Sequence, residues 1–249
     1  MSELLKFSRG NAKLDALENV IGGEVWTFSL LSGHTCPFAK DCLSKAIDVN
    51  GKRHIEDGPN TLFRCFSASQ EVLFPNVYDA RKYNYDLVKA QGNVLTRLSD
   101  LIIDSLPKQA AAIRVHVGGD FFTLNYMTSW MDAACMNKGI RFYAYTKSLN
   151  MWIQLKKRGA IPSNFVFTAS RGGTTDYLID EHNLREAKVV FSEQEATNLG
   201  LEIDHDDSHA LNNGPSFALL IHGIQPKGTE AAKAVRELKG VGSYGRGTK

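Results

Sequence analysis

The chain has 249 residues, of which 43% are hydrophobic and 22% are charged, and its formal net charge is +2. This length and composition are typical of a soluble globular protein, and we place one domain over residues 1–249. So small a net charge gives only weak reason to expect nucleic acid as a partner, although basic residues gather near the C-terminus. These are Lys227, Lys233, Arg236, Lys239, Arg246 and Lys249.

No stretch approaches the roughly 20 consecutive apolar residues of a membrane span, so we expect no membrane contact. The chain begins MSELLKFSRGNAKLD, which mixes charge with short apolar runs and lacks the apolar core of a secretory signal. Since nothing points to export, the expected compartment is a reducing cytoplasm, where disulfides are rare.

Six short runs, which are apolar or β-branched and end near Gly, Ser or Asp, predict buried strands. In chain order they are EVWTFSLLS at 24–32, IRVHV at 113–117, IRFYAYT at 140–146, NFVFTAS at 164–170, AKVVFS at 187–192 and FALLIHG at 217–223. Apolar residues at helical spacing predict helices between them. These stripes cover 94–106, 127–135, a segment beginning at Leu149, and 228–240. Cys135 falls on the second stripe, so we expect it to be a packed structural thiol.

Strands that alternate with helices imply right-handed crossovers and parallel pairing. The sequence therefore predicts an α/β fold, either a partial (β/α)6 TIM-like barrel or an open doubly wound sheet. In both folds the functional groups lie just beyond the carboxyl ends of the strands. One interval is much longer than the others, and we interpret residues 33–92 as an insertion after the first strand.

Three of the four cysteines lie in this insertion. Cys36 and Cys42 belong to LSGHTCPFAKDCLSKA, with five residues between them, and Cys65 follows about twenty residues later in RCFSAS. Thiolates are soft ligands that bind iron well, and three of them hold three irons of a [4Fe–4S] cluster while leaving the fourth iron open. The sequence predicts such a cluster on Cys36, Cys42 and Cys65.

Two other interpretations of these cysteines stay open. A structural zinc site needs four ligands, and either His34 or His54 would complete a Cys3His set. Alternatively the thiols are unrelated buried side chains, because free cysteine packs well in a core.

Polar residues at other strand ends are candidates for substrate or cofactor contacts. Lys147 follows the third strand, where the alternative is a simple strand-to-helix turn. The segment LEIDHDDSHA at 201–210 is dense in carboxylates and imidazoles, which bind metals or exchange protons, although a polar connecting loop is the alternative. The candidate catalytic residues are Asp204, His205, His209 and, at the end of the sixth strand, His222.

The cysteine arrangement resembles the radical S-adenosylmethionine superfamily, in which cysteines after the first strand of a partial barrel bind a [4Fe–4S] cluster. The resemblance implies that Gly118, Gly119 and Asp120, in HVGGDFF, receive the amino group of S-adenosylmethionine. It implies that Ser170 and Arg171, in TASRGG, contact the ribose and the carboxylate, for which an arginine fork is suited. It further implies oxidoreductase or lyase activity, with a reductase or flavodoxin as electron donor.

Across nearly its whole length the sequence more closely resembles a phage-encoded family called gene product 88. The matching segments are LSGHTCPFAKDCLSKA, RCFSASQE, VHVGGDFF, YAYTKS, FTASRGG and IDHDDSHA. This resemblance implies a viral or prophage origin and expression in the cytoplasm of a bacterial host.

Three functional hypotheses follow from these patterns. The first is a radical S-adenosylmethionine-like enzyme. The second is a non-catalytic iron–sulfur protein or a nucleic-acid-associated phage accessory protein on a degenerate barrel. Under this second hypothesis NVYDARKYNY at 76–85 stacks on nucleotides, although a packed helix face is the preferred interpretation. The third is a metal-dependent hydrolase with ions on His116, His205, His209 and His222 and structural zinc on the cysteines.

Overall fold

The computed structural model describes residues 3–10 and 12–238. Its strands are β1 (Ser8–Arg9), β2 (Glu24–Phe28), β3 (Ser44–Val49), β4 (Lys52–Asp57), β5 (Ala110–Val115), β6 (Arg141–Thr146), β7 (Phe165–Ser170), β8 (Glu186–Val190), β9 (Glu202–Ile203) and β10 (Phe217–Leu220). Its helices are α1 (Ala12–Ile21), α2 (Phe66–Leu73), α3 (Pro75–Ala90), α4 (Leu95–Ser105), α5 (Leu124–Met136), α6 (Leu149–Lys157), α7 (Tyr177–Glu181), α8 (Glu193–Asn198), α9 (Ser208–Leu211) and α10 (Glu230–Glu237).

The main sheet has eight strands in the order β1-β2-β5-β6-β7-β8-β10-β9. All of its pairs are parallel except β1 with β2. The six predicted strands correspond to β2, β5, β6, β7, β8 and β10, so the prediction of an α/β fold with a mostly parallel sheet is confirmed. Because these six neighbours run in the same direction, their carboxyl ends meet at one edge of the sheet.

Alternating side chains on the strands bury the two faces of the sheet in separate cores. Ile113 and Val115 of β5 pack on one face, in a core that includes Trp130 of α5. Ala112 of β5 packs on the opposite face, where Leu17 of α1 also lies. β5 therefore contributes apolar surface to both sides, as expected for a strand buried within a parallel sheet.

Residues 33–92 lie between β2 and α4 and contain the antiparallel hairpin β3–β4 followed by α2 and α3. The hairpin turns at Asn50 and Gly51, whose φ angles of 55° and 79° suit an Asn-Gly pair. The sequence analysis assigned no strand to this insertion. The hairpin was missed because β4 is largely polar and only half-buried, although Asn-Gly between alternating residues was the available signal.

Helices α4, α5 and α6 confirm the predicted stripes, but the expectation for Cys135 is wrong. Cys135 is exposed near the end of α5. A residue eight positions after Met127 is rotated by about 80° around the helix axis, which carries it off the buried stripe. Of the predicted helix at 228–240, α10 covers Glu230–Glu237.

The end of that segment lies outside the described residues, as do Lys239, Arg246 and Lys249 of the basic group. Within the described part of the chain, no helix is long and apolar enough to cross a bilayer.

Candidate functional site

The loop that carries Cys36 and Cys42 is fastened to the carboxyl end of β7. The backbone N–H groups of Lys40 and Asp41 donate to the carbonyl of Gly172 at 3.2 and 2.9 Å. The N–H of Thr174 donates to the carbonyl of Phe38 at 2.9 Å. The insertion therefore lies over the sheet edge where functional groups are expected.

Backbone contacts bring Cys65 back to the same loop. The N–H of Leu62 donates to the carbonyl of Asp41 at 2.7 Å, and the N–H of Cys65 donates to Ser44 Oγ at 3.3 Å. Cys65 is also the N-cap residue of α2, where backbone N–H groups favour a negative charge. The sulfur of Cys36 accepts a hydrogen bond from the N–H of Gly33 at 3.3 Å.

The three thiols are half-buried and influence one another electrostatically. Burial raises the pKa of Cys36 well above its ordinary value, and Asp120, Cys65 and Cys42 raise it further. Burial and the neighbouring Cys42 raise the pKa of Cys65 to about 11. Since Coulomb interactions weaken with distance, Cys65 and Cys42 lie near enough to Cys36 to affect its pKa. Without a metal, the thiols of Cys36 and Cys65 are protonated at neutral pH.

The three thiols do not by themselves form a metal-binding site in this structure. Among residues 3–10 and 12–238, no group of three or more His, Cys, Asp or Glu side chains is arranged to hold a metal ion. The Nε2 atom of His34 lies 3.2 Å from the carbonyl oxygen of Ala46. That nitrogen is then a proton donor and not a metal ligand.

Gly118, Gly119 and Asp120 lie beside the cysteine loop. The carbonyl of Gly118 accepts a hydrogen bond from the N–H of Leu30 at 2.9 Å, and the N–H of Asp120 donates to Thr35 Oγ1 at 3.3 Å. Gly119 has a φ of +86°, a conformation that favours glycine. A Cβ atom here would also lie 2.6 Å from Thr35 Oγ1, so the position needs glycine for both its conformation and its close packing.

The carboxylate of Asp120 is buried and its oxygens already accept three hydrogen bonds. Oδ1 accepts from Thr146 Oγ1 and from the N–H of Phe121, both at 2.7 Å, and Oδ2 accepts from the N–H of Lys147 at 2.8 Å. Burial raises its pKa to about 6, although these hydrogen bonds act in the opposite direction. The carboxylate of Asp120 therefore has little capacity left to accept a further hydrogen bond from the amino group of a ligand.

Gly118 packs against a buried network of polar side chains that the sequence analysis did not identify. Arg81 Nη1 donates to Glu71 Oε1 at 2.9 Å and to the carbonyl of Ser67 at 3.0 Å. Ser32 donates to the same Glu71 oxygen through its N–H at 3.0 Å and its hydroxyl at 2.8 Å. This network joins α3, α2 and the loop after β2, and so helps to place Cys65 at the start of α2.

We expect Gly118→Ala to destabilise the protein by about 1–3 kcal/mol, because overpacking a filled site forces its neighbours to move. A Cβ atom at Gly118 would lie 2.3 Å from Ser67 Oγ, 3.0 Å from Ser32 Oγ and 3.2 Å from Arg81 Cζ. Urea unfolding measures the loss. The control is Gly139→Ala, where a Cβ meets nothing within 4 Å and where we expect a change within about 0.5 kcal/mol. Equal stabilities of the two variants would contradict the packing argument.

Lys147 and Ser170 contact each other, whereas Arg171 points to other partners. Lys147 Nζ donates to Ser170 Oγ at 2.6 Å. The Arg171 guanidinium pairs with Glu186 and, at 2.8 Å, with Asp180. A ligand carboxylate at Arg171 would have to displace these two side chains.

The acidic segment before β10 forms a second polar cluster, on the sheet face where α1 and α9 lie. Asp204 and Asp207 are fully buried. His209 Nδ1 lies 3.4 Å from Asp204, and its Nε2 lies 2.9 Å from the exposed Glu202. His205 is exposed. Of the predicted catalytic residues, Asp204 and His209 are therefore neighbours.

The sequence analysis missed the side chains that meet this acidic segment from the sheet. Arg114 Nη1 of β5 lies 2.6 Å from Asp207 Oδ2. The hydroxyls of Tyr143 and Tyr145 donate to Asp207 at 3.0 and 3.4 Å, and Tyr145 also donates to Asp204 at 3.3 Å. Burial raises the pKa of both tyrosines, so their hydroxyls remain donors. The available signal was polar residues at every second position of otherwise apolar strands.

His116 and His222 lie apart from this cluster. His116 is buried in the core that includes Trp130, and its Nε2 lies 2.9 Å from Tyr126 Oη. The His222 ring packs 4.7 Å from the ring of Phe66, next to Cys65. Among the described residues these four histidines form no ligand group for a metal ion, so the structure gives the hydrolase hypothesis no support.

Comparisons with known proteins bear on this whole arrangement. The sequence profile of the gene product 88 family matches residues 5–238. The chain belongs to the gene product 88 family. No curated protein matches the chain, and no solved structure does.

The region matched to gene product 88 includes both polar centres. It contains the cysteines of the insertion and the acidic segment before β10. It ends at Leu238, the last described residue of the C-terminal region. The region matched to the gene product 88 family thus includes every candidate site residue.

Proposed function

We propose that this protein binds an iron–sulfur cluster through Cys36, Cys42 and Cys65. The supporting observation is that Cys65 and Cys42 help to raise the pKa of Cys36, and that Cys42 helps to raise the pKa of Cys65, at the carboxyl edge of a parallel sheet. Three soft donors suit a cluster that keeps one iron open. The pKa of Cys36 and Cys65 is raised, so cluster binding would release protons from these thiols.

The three thiols are chemically suited to an iron–sulfur cluster, but in this structure they are not arranged to hold one. Cluster assembly would have to draw the loop at 36–42 and Cys65 together, because the described residues contain no ready ligand set. Hydrogen bonds such as that from Gly33 to the sulfur of Cys36 favour a thiolate. Zinc needs a fourth protein ligand, which a cluster with an open iron does not, and because Nε2 of His34 faces a carbonyl only its Nδ1 atom could serve.

We further propose that β2, β5, β6, β7, β8 and β10 form a partial (β/α)6 barrel. These strands follow each other in the sheet in chain order. A doubly wound sheet reverses its strand order at a switch point, whereas a barrel keeps the order sequential. Right-handed crossovers would then place the connecting helices on one face, and α1 and α9 would fill the other.

More specifically, we propose that S-adenosylmethionine binds to the open iron. Its binding residues would be Gly118, Gly119, Asp120, Ser170 and Arg171. A bound cluster would supply one-electron reduction of the sulfonium. The chain would hold the ligand's amino group at Asp120 and its ribose at Ser170. Arg171 would bind the carboxylate of S-adenosylmethionine only after its ion pairs with Glu186 and Asp180 had broken.

A non-catalytic iron–sulfur protein is the second candidate. The observation in its favour is that the Asp120 oxygens and the Arg171 guanidinium are already engaged by groups of the protein. Reduction with dithionite in the presence of S-adenosylmethionine separates the candidates. Formation of 5′-deoxyadenosine supports the enzyme, and a fully loaded cluster that gives none supports the non-catalytic protein.

We expect anaerobically reconstituted protein to be brown, and Cys36→Ala, Cys42→Ala and Cys65→Ala each to lose most of the bound iron and the colour. Each substitution removes one of the three protein ligands that the cluster needs. Iron and sulfide analysis, with visible and electron paramagnetic resonance spectra, measures the loss.

Cys135→Ala is the matched control, because this exposed thiol lies on α5 and should be dispensable. Zinc without iron in the purified protein would contradict the proposal. So would full iron loading in any of the three cysteine variants.

A further inference from the structure

Residues 133–175 carry positive charge without any carboxylate to balance it. This stretch contains seven Lys or Arg residues and no Asp or Glu, although the whole chain has a net charge of only +2. The small net charge therefore conceals a local excess of positive charge. Five of the seven basic side chains are exposed in the segments that lead into β6 and β7, and we call them the basic edge. They are Lys138, Arg141, Lys156, Lys157 and Arg158.

Hydrogen bonds hold the two segments of the basic edge together. Asn164 Nδ2, just before β7, donates to three carbonyls of the segment before β6. These belong to Ala134 at 3.0 Å, Asn137 at 3.2 Å and Ile140 at 2.8 Å. Arg158 is six residues before Asn164, so the two lie within about 22 Å of each other. The five cations therefore share one side of the molecule, at the amino ends of two neighbouring strands.

A cavity of about 360 Å³ opens beside Arg141 within this edge, and its lining includes Ser163, Asn212 and Asn213. Arg141 Nη2 donates only to uncharged acceptors, the carbonyl of Leu211 at 3.2 Å and Asn212 Oδ1 at 3.1 Å. In the part of the chain that the structure describes, no carboxylate forms a salt bridge with any of the five cations. The guanidinium in the cavity therefore lacks an anionic partner.

We infer that the basic edge binds the phosphate backbone of a single-stranded nucleic acid, with Arg141 holding one phosphate in the cavity. The guanidinium fork suits phosphate oxygens, and Ser163 and Asn213 supply neutral donors beside it. Cations spread over two segments fit a polymer with a charge on every unit better than one small anion. This surface lies at the opposite edge of the sheet from the cysteine loop, so its role is independent of the proposed function.

A competing explanation is that some of these cations only stabilise a helix. Lys156, Lys157 and Arg158 lie at the carboxyl end of α6, where the helix dipole favours positive charge. That role does not extend to Lys138 and Arg141, which lie at the start of a strand. It also predicts a loss of stability and no change in binding, so the two explanations give different results.

The experiment measures the fluorescence anisotropy of a labelled oligothymidylate of about 16 nucleotides, the length of a single-strand site, at several salt concentrations. On a single strand each phosphate contact adds about 0.7 to the slope of log K against log salt, so losing three contacts lowers the slope by about 2. The triple variant Lys156→Gln, Lys157→Gln, Arg158→Gln removes three. Between about 50 and 200 mM salt, we therefore expect the wild type to lose roughly twentyfold more affinity than this variant.

The matched control removes three exposed cations from the other basic group. Lys227→Gln, Lys233→Gln, Arg236→Gln changes the net charge by the same amount and should leave the slope close to that of the wild type. Urea unfolding of both triple variants identifies any loss of fold. Equal slopes in the two triple variants would show that binding follows net charge alone, which overturns the proposal.

Arg141→Gln tests the cavity separately and should lower the slope by about 0.7. An unchanged slope in this variant overturns the role of Arg141. Wild-type protein that does not bind the oligonucleotide at about 50 mM salt overturns the whole proposal, since phosphate contacts are strongest at low salt. So does binding to vesicles of anionic lipid without binding to the oligonucleotide.

Discussion

Asp207→Asn is expected to lower the free energy of unfolding by about 3–5 kcal/mol, the cost of leaving one partner of a buried ion pair alone. Asp207 is fully buried, and its carboxylate lies 2.6 Å from the guanidinium of Arg114, whose side chain is only 15% exposed. Two tyrosine hydroxyls donate to the same carboxylate. Asparagine keeps the shape of the side chain and tolerates the φ of +64° at this position. The loss of stability therefore measures the effect of removing the negative charge.

Urea unfolding at pH 7 measures the effect, and a second pair supplies the control. Asp180 also pairs with an arginine, but its side chain is 70% exposed, so Asp180→Asn should cost no more than about 1 kcal/mol. Combining Asp207→Asn with Arg114→Met should cost less than the sum of the single losses, since the double variant leaves no unpaired charge. Additive losses, or a loss below about 1 kcal/mol for Asp207→Asn, would contradict the assigned pairing.

The strands were predictable because burial on both faces selects continuous apolar runs. NFVFTAS and IRFYAYT became β7 and β6 with ends within one residue of the expected ones. At 113–117 the strand ends earlier than expected, since His116 adopts a φ of +66° and leaves the sheet. Strand order was not predictable from these runs. Spacing alone fits a barrel and an open sheet equally, and only the pairing of distant residues separates them.

The candidate site was predictable in its residue types and not in its connections. Cysteines after the first strand and Gly-Gly-Asp after β5 indicated the functional edge because chain order alone brings those ends together. The partners of those residues come from far along the chain. The contact between Glu71 and Arg81 could not be predicted from the sequence, because a separation of ten residues is not a spacing that indicates contact. Their meeting depends on the angle between α2 and α3.

His116 is expected to make the protein sensitive to acid, by up to about 5 kcal/mol. Burial lowers its pKa from 6.5 to about 3, because the apolar surroundings disfavour the imidazolium. A folded-state pKa below that of the unfolded chain stabilises the neutral fold above pH 6.5. This contribution is then lost as the pH falls from about 6.5 to about 3. The ring is enclosed by the aromatic side chains Phe28, Phe121, Tyr126 and Trp130.

The test compares unfolding free energies of the wild type and His116→Phe from pH 7 to about pH 4. At pH 7 the variant should be less stable by about 1 kcal/mol, since it loses the hydrogen bond to Tyr126. Near pH 4 the order should reverse, because the unfolded wild type gains a proton on His116 that the folded protein does not take up, whereas phenylalanine has no proton to gain in either state. Tyr126→Phe removes the same hydrogen bond but keeps the imidazole, so its pH profile should run parallel to that of the wild type. Parallel profiles for wild type and His116→Phe would show that acid acts elsewhere in the fold.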